Sequence, residues 1–408
     1  MSSVREVVAR RRPELARALE PRSIAIAGIA LAALAFWAAL PPWTIRWQGA
    51  PVALGLLAAA AGVWALSRGE RRLGSWAMAL ALVGTVAAIW AQTKDEASLG
   101  AVLNTGLLAA TLRFATPLAF AALGGLFSER SGVVNIGLEG MMLMGAFFGI
   151  WATIWSGSWV VGVLSAMVFG GLLAAVHAVF SIHLRADQIV SGFAMNFLAL
   201  GLTGYLFISI YGLQGTPPGI DRIPDVHLAF LHDLPAVGGL LGPVFGQLNL
   251  LIWVVLALVV VVHIVIFRTA IGLRIRAVGE HPRAADTVGI SVSRLRYGAV
   301  ILSGMLAALG GAYLSVGFVG SFGQNMTAGR GFIALAALIF GKWKPIPTFG
   351  ACLLFGFASG LAQRLQAEAD ISANLISTLP YLLVLAALVG VVGRSVPPAA
   401  VGRPYVKQ

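Results

Sequence analysis

The sequence is poor in charge and in cysteine, and it carries no recognisable catalytic motif. Charged residues make up 11% of its 408 positions, and it has one cysteine, Cys352. A lone cysteine excludes an intrachain disulfide and a multi-thiol metal site, and in its apolar run packing accounts for it. The six histidines (His177, His183, His227, His232, His263 and His281) show no metal-like spacing. There is no phosphate-binding G-x-x-x-x-G-K-[ST] loop, because Gly341-Lys342-Trp343 ends in the wrong residue. Nucleophile elbows and zinc-helix motifs are missing too. The chain is therefore expected to be no enzyme, to hydrolyse no ATP itself and to hold no metal or cofactor of its own. A shortage of acidic residues leaves a formal net charge of +12. No base-reading motif accompanies it, so nucleic acid is not the expected partner.

What the sequence has in quantity is apolar surface. Hydrophobic residues make up 59% of the chain, and the mean hydropathy is +0.88. A soluble core of this size cannot hide so much, so lipid must be the solvent for much of it. Membrane barrels alternate apolar and polar residues in segments of about ten. Here the apolar runs are continuous for about twenty, the length of a membrane-crossing helix. The 49 glycines suit close helix contact in lipid. The fold class is an all-α polytopic membrane protein with about twelve spans, expected at 24–40, 50–67, 73–91, 99–127, 133–155, 159–184, 188–212, 249–268, 297–320, 327–341, 346–366 and 374–393. The stretch 327–341 is short enough for a half-span.

Basic residues alternate with this span count. They gather at 1–23, at Arg68, Arg71 and Arg72, in 268–296, at Lys342 and Lys344, and in the tail 394–408. The positive-inside bias puts these segments and both termini in the cytoplasm of a multi-pass cell-membrane protein. No small-residue cleavage site follows the first apolar run, so residues 1–23 read as a retained cytoplasmic start. The Gly/Pro-rich stretch 212–249 is then the largest outside loop, fit either for short helices that meet an external partner or for a plain connector.

Three polar regions stand out. In Ser128–Gly149, Asn135 and Glu139 share a helix face, and Gly132, Gly137 and Gly140 point to a broken helix. Irregular backbone is tolerated at that depth only under a cover of protein or water. Asn135 and Glu139 either border a translocation path or stabilise packing at the cytoplasmic interface. Ser321–Gly331 offers Gln324, Asn325, Thr327 and Arg330, types that hydrogen-bond a neutral polar solute, and its glycine-rich start parallels the first region, as in two-fold transporter repeats. Asn196, Asn104, Thr105, Arg113 and Thr116 are further intramembrane candidates. The third region, 268–296, sets Arg268, Arg274, Arg276, Arg283, Arg294 and Arg296 against Glu280 and Asp286. Within it Pro282 suits a first helical turn and Gly289 a helix stop, so a short helix is expected with Ala284 and Ala285 on its surface, shaped for close docking of another protein.

The stretches ATPLAFAALGGLFSERSGVVNIGLEGMMLMGA (115–146), GLRIRAVGEHPRAADTVGISVSRLR (272–296) and GRGFIALAALIFGKWKP (329–345) resemble the permease subunits of bacterial ABC importers. The group is that of branched-chain amino acid, simple-sugar and nucleoside permeases, and the first stretch is most similar to the nucleoside members. The resemblance covers roughly 99–393. It implies a ten-span, vitamin-importer-like core (71–393), with two additional N-terminal spans in 24–70. It also implies a cytoplasmic coupling segment between the sixth and seventh core spans, in which Glu280, Ala284, Ala285 and Gly289 dock on an ATPase. Implied partners are a second permease subunit, a cytosolic ABC ATPase carrying ATP and Mg, and an extracytoplasmic solute-binding lipoprotein, all around membrane lipid. The implied solute is a nucleoside, with a simple sugar or branched-chain amino acid as alternatives. An ion-coupled secondary carrier is the rival class. It needs ionisable groups at mid-membrane, where only Glu139 and Arg113 qualify.

Overall fold

A computed structural model describes residues 24–25, 27–32, 49–70, 73–74, 76–78, 80–81, 105–231, 233–234, 238–368 and 395–406. The expected segments 1–23 and 374–393, most of 24–40 and 73–91, and Asn104 lie outside the described residues. The chain divides into two units, residues 1–104 with 364–372, and 105–363 with 373–408.

In the first unit, helix α1 (Gly49–Ser67) matches the expected span 50–67. It is apolar on every face, as a lipid-immersed helix should be. Small residues set its contacts: a side chain at Gly28 would touch Ala61 and Ala77, and Ala32, Ala58 and Ala81 are buried together.

The second unit holds α2 (Thr105–Arg130), α3 (Leu138–Ser156), α4 (Trp159–Ala178, continued by a π-helical turn to His183) and α5 (Gln188–Tyr211). A loop follows that carries α6 (Gly238–Phe245) and a two-stranded antiparallel ribbon. Its strands β1 (Asp225–His227) and β2 (Gln247–Asn249) pair Asp225 with Asn249 and His227 with Gln247. Next come α7 (Leu250–Arg268), α8 (Ala270–Glu280), α9 (Pro282–Thr287) and α10 (Val292–Ala312, continued as a π-helix Tyr313–Val319). The last described helices are α11 (Arg330–Phe340) and α12 (Pro345–Glu368).

Among the described residues, seven helices are long and apolar enough to cross a membrane. Helix α11 is not one of them. Its 11 residues rise about 16 Å, half the thickness of about 30 Å of hydrocarbon, as a half-span requires.

Two expected boundaries move. The span placed at 133–155 begins at Leu138, because the chain turns at Gly132 (φ +94°) and stays non-helical to Gly137. The span placed at 297–320 begins at Val292, so Arg294 and Arg296 lie inside its first turns. The segment 268–296, expected as a loop with one short helix, is helical for most of its length.

Helix α10 runs through the middle of this unit, packed against α2, α3 and α4. Backbones meet there with nothing between them. A Cβ at Gly304 would strike the Gly170 carbonyl, and one at Gly145 would strike the backbone of Ala308. Such contact replaces hydrophobic driving force, which lipid does not supply between helices. Phe120, Leu123, Met141, Met142 and Phe147 fill the space around these crossings and are fully buried.

Candidate functional site

The non-helical stretch 131–137 poses an accounting problem, since each of its buried backbone groups needs a partner. Side chains from three other helices supply them. The Ser131 carbonyl accepts from Arg296 Nε at 3.1 Å. The Val134 N–H donates to Gln188 Oε1 at 2.8 Å, and the Val134 carbonyl pairs with His177 Nε2 at 3.1 Å. Asn196 bridges the break itself. Its Nδ2 donates to the Ile136 carbonyl at 3.0 Å, and its Oδ1 accepts from the Gly140 N–H, one of the first in α3, at 2.8 Å. Asn135 turns inward and donates through Nδ2 to Ser303 Oγ of α10 at 2.9 Å.

A second helix start meets the first. Residues 320–329 lead into α11, whose opening N–H groups lack intrahelical acceptors. Glu139, in the first turn of α3, supplies them. Its Oε1 accepts from Thr327 Oγ1 at 2.6 Å and from the Gly329 N–H at 2.8 Å, while Oε2 accepts from the Gly331 N–H at 2.6 Å. A carboxylate at a helix N-terminus also complements its dipole. Gly331 must be glycine for this contact, because a Cβ would overlap the Glu139 backbone. Arg330 Nη1 donates to the carbonyls of Met326 and Thr327.

The structure thus gathers Asn135, Glu139, Asn196 and Arg330, four of the six solute-path candidates, around two adjoining helix starts. Gln324 and Asn325 stay exposed in the loop before α11. Sequence reasoning missed Ser303 and Gln188, gave His177 no role, and named Thr327 without pairing it to Glu139. Only long-range pairing reveals them.

The basic segment 268–296 builds on α8. Thr269 caps it by accepting from the Gly272 N–H, and Ile275, Val278 and Gly279 face inward. Gly279 sits against the Arg130 carbonyl with no room for a side chain. Arg130 in turn donates through Nε and Nη2 to the Trp343 carbonyl, which joins the end of α2 to the turn after α11. Helix α9 starts with Pro282 in its first turn, and Gly289 (φ +82°) ends the segment in the left-handed conformation. Ala284 is exposed as expected, but Ala285 is not. It is 3% exposed and packs with Val278 and Val292. The expectation of a two-alanine surface is corrected by this packing, for the short helix has an inner face that Ala285 occupies.

The tail lies against this segment. Ala400 N–H donates to the Gly279 carbonyl at 2.9 Å, and Ala399 N–H to Glu280 Oε2 at 3.1 Å. Arg296 Nη1 donates to the Arg403 carbonyl at 3.1 Å, and Ser395 Oγ to the Ile339 carbonyl at the end of α11. The Tyr405 phenol is held above its usual range by partial burial and by its hydrogen bond with Asp286. Glu280 therefore holds the tail, a role its sequence position did not announce. Beside α9 a cavity of about 540 Å³ opens between His183, Arg185, Asp286, Ser291 and Tyr405. Among the described residues no cluster of His, Cys, Asp or Glu could hold a metal ion.

Apolar helices of membrane-crossing length, a broken helix held by polar side chains, a short apolar helix and an amphipathic interhelical segment mark a multi-pass membrane protein. The family described as branched-chain amino acid transport system / permease component matches residues 107–392, and this chain belongs to it. The guanosine ABC transporter permease protein NupQ of Bacillus subtilis is 42% identical over 74% of this chain and 96% of its own length. The nucleoside ABC transporter permease protein NupC of Lactococcus lactis is 37% identical over the same shares. A putative glucose ABC transporter permease protein of Haloferax volcanii, TsgC13, is 38% identical over 69% of this chain and 90% of its own. No solved structure matches.

Proposed function

We propose that this chain is the membrane permease subunit of an ATP-driven ABC importer of nucleosides. The observation that carries the reading is the alignment with a guanosine and a nucleoside permease over 96% of each. The putative glucose permease keeps a simple sugar as the second reading, for its identity is similar. ATP and Mg belong to a separate cytosolic ATPase, which docks on α9 and the cavity beside it. A second permease completes the path, and an extracytoplasmic lipoprotein delivers solute. The apolar row of α5, where Val190, Phe197 and Tyr205 are 67%, 70% and 70% exposed, suits contact with lipid as well as with a second permease.

In this reading the full chain has twelve spans, ten of them the permease core, with both termini and α8–α9 in the cytoplasm. The charge alternation supports that orientation. Motion imposed on α9 passes through Val278, Ala285 and Val292 into the start of α10. Arg296 carries it to the Ser131 carbonyl, and from the broken segment it reaches Glu139 and the start of α11. Glu139 and Asn196 act as joints in that train, with their oxygens committed to backbone N–H groups. Gln324 and Asn325, left exposed, are the better candidates for meeting solute.

The test is reconstitution of this permease with its partners in proteoliposomes, scored for labelled guanosine and glucose uptake. Guanosine uptake that needs internal or external ATP on the ATPase side is expected. Uptake by the permease alone, driven by an ion gradient, would refute it.

A further inference from the structure

Away from the coupling segment, a cavity of about 400 Å³ opens at the opposite end of α10, beside the 212–249 loop. Its size is that of a small-molecule site. Six residues give it its chemistry: Arg113 of α2, Arg222 and Asp225 of the loop, Asn249, Tyr313 and Phe318. They come from α2, from the loop with its two strands and from the π-helix that ends α10, so segments distant in sequence converge there.

Several features mark it as built rather than incidental. Tyr313 is 1% exposed, yet its hydroxyl finds no hydrogen-bond partner. A buried hydroxyl left unpaired costs stability, so its presence on a residue that lines a polar cavity calls for an explanation. Tyr313 also opens the seven-residue π-helix that ends α10, and π-helical turns in α-helices occur frequently at functional sites. The two guanidiniums are held in place by one backbone carbonyl each. Arg113 Nη2 donates to Gln247 and Arg222 Nη2 to Val319. Room for Arg222 comes from Gly320, where a Cβ would overlap the guanidinium. Asn249 is committed to the frame, donating to the carbonyls of Ile223 and Gly317 and accepting from Leu251 N–H. No hydrogen bond takes up the Asp225 carboxylate among the described residues.

The lining therefore offers fixed cationic donors, one free carboxylate, one free hydroxyl and an aromatic surface, where Tyr313 and Phe318 stack at 6.1 Å. A strong anion would meet Asp225, and an aliphatic amino acid would leave the guanidiniums idle. A planar ring with carbonyl and ring-nitrogen acceptors matches an arginine fork, and a vicinal diol matches a carboxylate acceptor. We propose that this cavity is a ribonucleoside subsite, in which Arg113 and Arg222 face the base edge, Asp225 accepts from the ribose hydroxyls and Tyr313 binds from the floor. This rests on the nucleoside reading above and assigns it residues that neither the sequence candidates nor the relatives' names supply.

The test measures equilibrium binding of guanosine and 2′-deoxyguanosine to the assembled permease–ATPase complex in nanodiscs, without the lipoprotein, alongside uptake by the complete transporter. Loss of one hydrogen bond predicts about tenfold weaker guanosine binding for Tyr313→Phe and for Asp225→Asn. Asp225→Asn should also erase the wild-type preference for the ribonucleoside over its 2′-deoxy form. Asp225 is exposed, so its variant remains a test even if Tyr313→Phe fails to assemble. Guanosine uptake by wild type, with both variants binding and discriminating like it, would overturn the subsite alone. Glucose uptake with neither binding nor uptake of guanosine by wild type would overturn the nucleoside reading and the subsite together.

Discussion

Glu139 and Gly331 hold two helix starts together. The carboxylate of Glu139, in the first turn of α3, accepts the Gly331 N–H at the start of α11 at 2.6 Å, and there is no space between them for a side chain at residue 331. An acid in the middle of a sequence so poor in charge thus serves as the cap of a helix it does not belong to.

Removing that cap should be costly. Glu139→Ala strands the N–H groups of Gly329 and Gly331 and the Thr327 hydroxyl, at about 1–3 kcal/mol for each buried group left unpaired. A clear fall in melting temperature in detergent is expected. Glu139→Gln should fall between, since its amide keeps one acceptor oxygen and brings donors where two N–H groups already point. Equal melting of all three proteins would refute the cap.

Gly331→Ala tests the contact from the other side. The added methyl must displace the Glu139 backbone or the helix start, and overpacking of this kind costs about 1–3 kcal/mol. The same substitution at Gly350, where nothing lies within 4 Å, should leave the melting temperature unchanged or raised, since alanine favours helix.

The two alanines of α9 should separate fold from docking. Ala285→Phe forces a ring between Val278 and Val292 and should lower permease stability with no partner present. Ala284→Glu changes an exposed position, so stability should hold while ATPase co-purification falls about tenfold, about 1.4 kcal/mol of lost association. Unchanged co-purification for Ala284→Glu would remove α9 from the dock.

Arg296 joins three segments through one planar fork, and lysine cannot copy that geometry. Arg296→Lys should preserve charge and most ATPase activity while solute moved per ATP hydrolysed falls several-fold. A proportional loss of both activities would mean that Arg296 only stabilises the fold.

The sequence made local features legible and distant pairings opaque. Continuous apolar runs identified the long helices, the short run at 327–341 left a full or a half span open, and Gly132 and Gly289 marked breaks, because each signal lies within a few residues. Glu139 and Asn135 also stood out, as polar groups in apolar surroundings. Their pairings did not: Thr327 stood only among the candidates for solute contact, Ser303 is a lone hydroxyl, and no periodicity ties position 139 to 327 or 135 to 303. Ala285 was misplaced for a different reason. Six residues do not complete two helical turns, so α9 is too short for its pattern to separate an inner face from an outer one. Glu280 and Arg296 looked like members of a basic segment because the tail they hold is far away in sequence.

The tail also orders events during synthesis. Residues 395–406 leave the ribosome well after α8 and α9, yet their backbone supplies donors for Gly279 and Glu280 and an acceptor for Arg296. Until they arrive, the buried Arg296 lacks one of its two acceptors. The face built from α8, α9 and residues 395–406 is thus finished only after the later helices α10, α11 and α12 have been made.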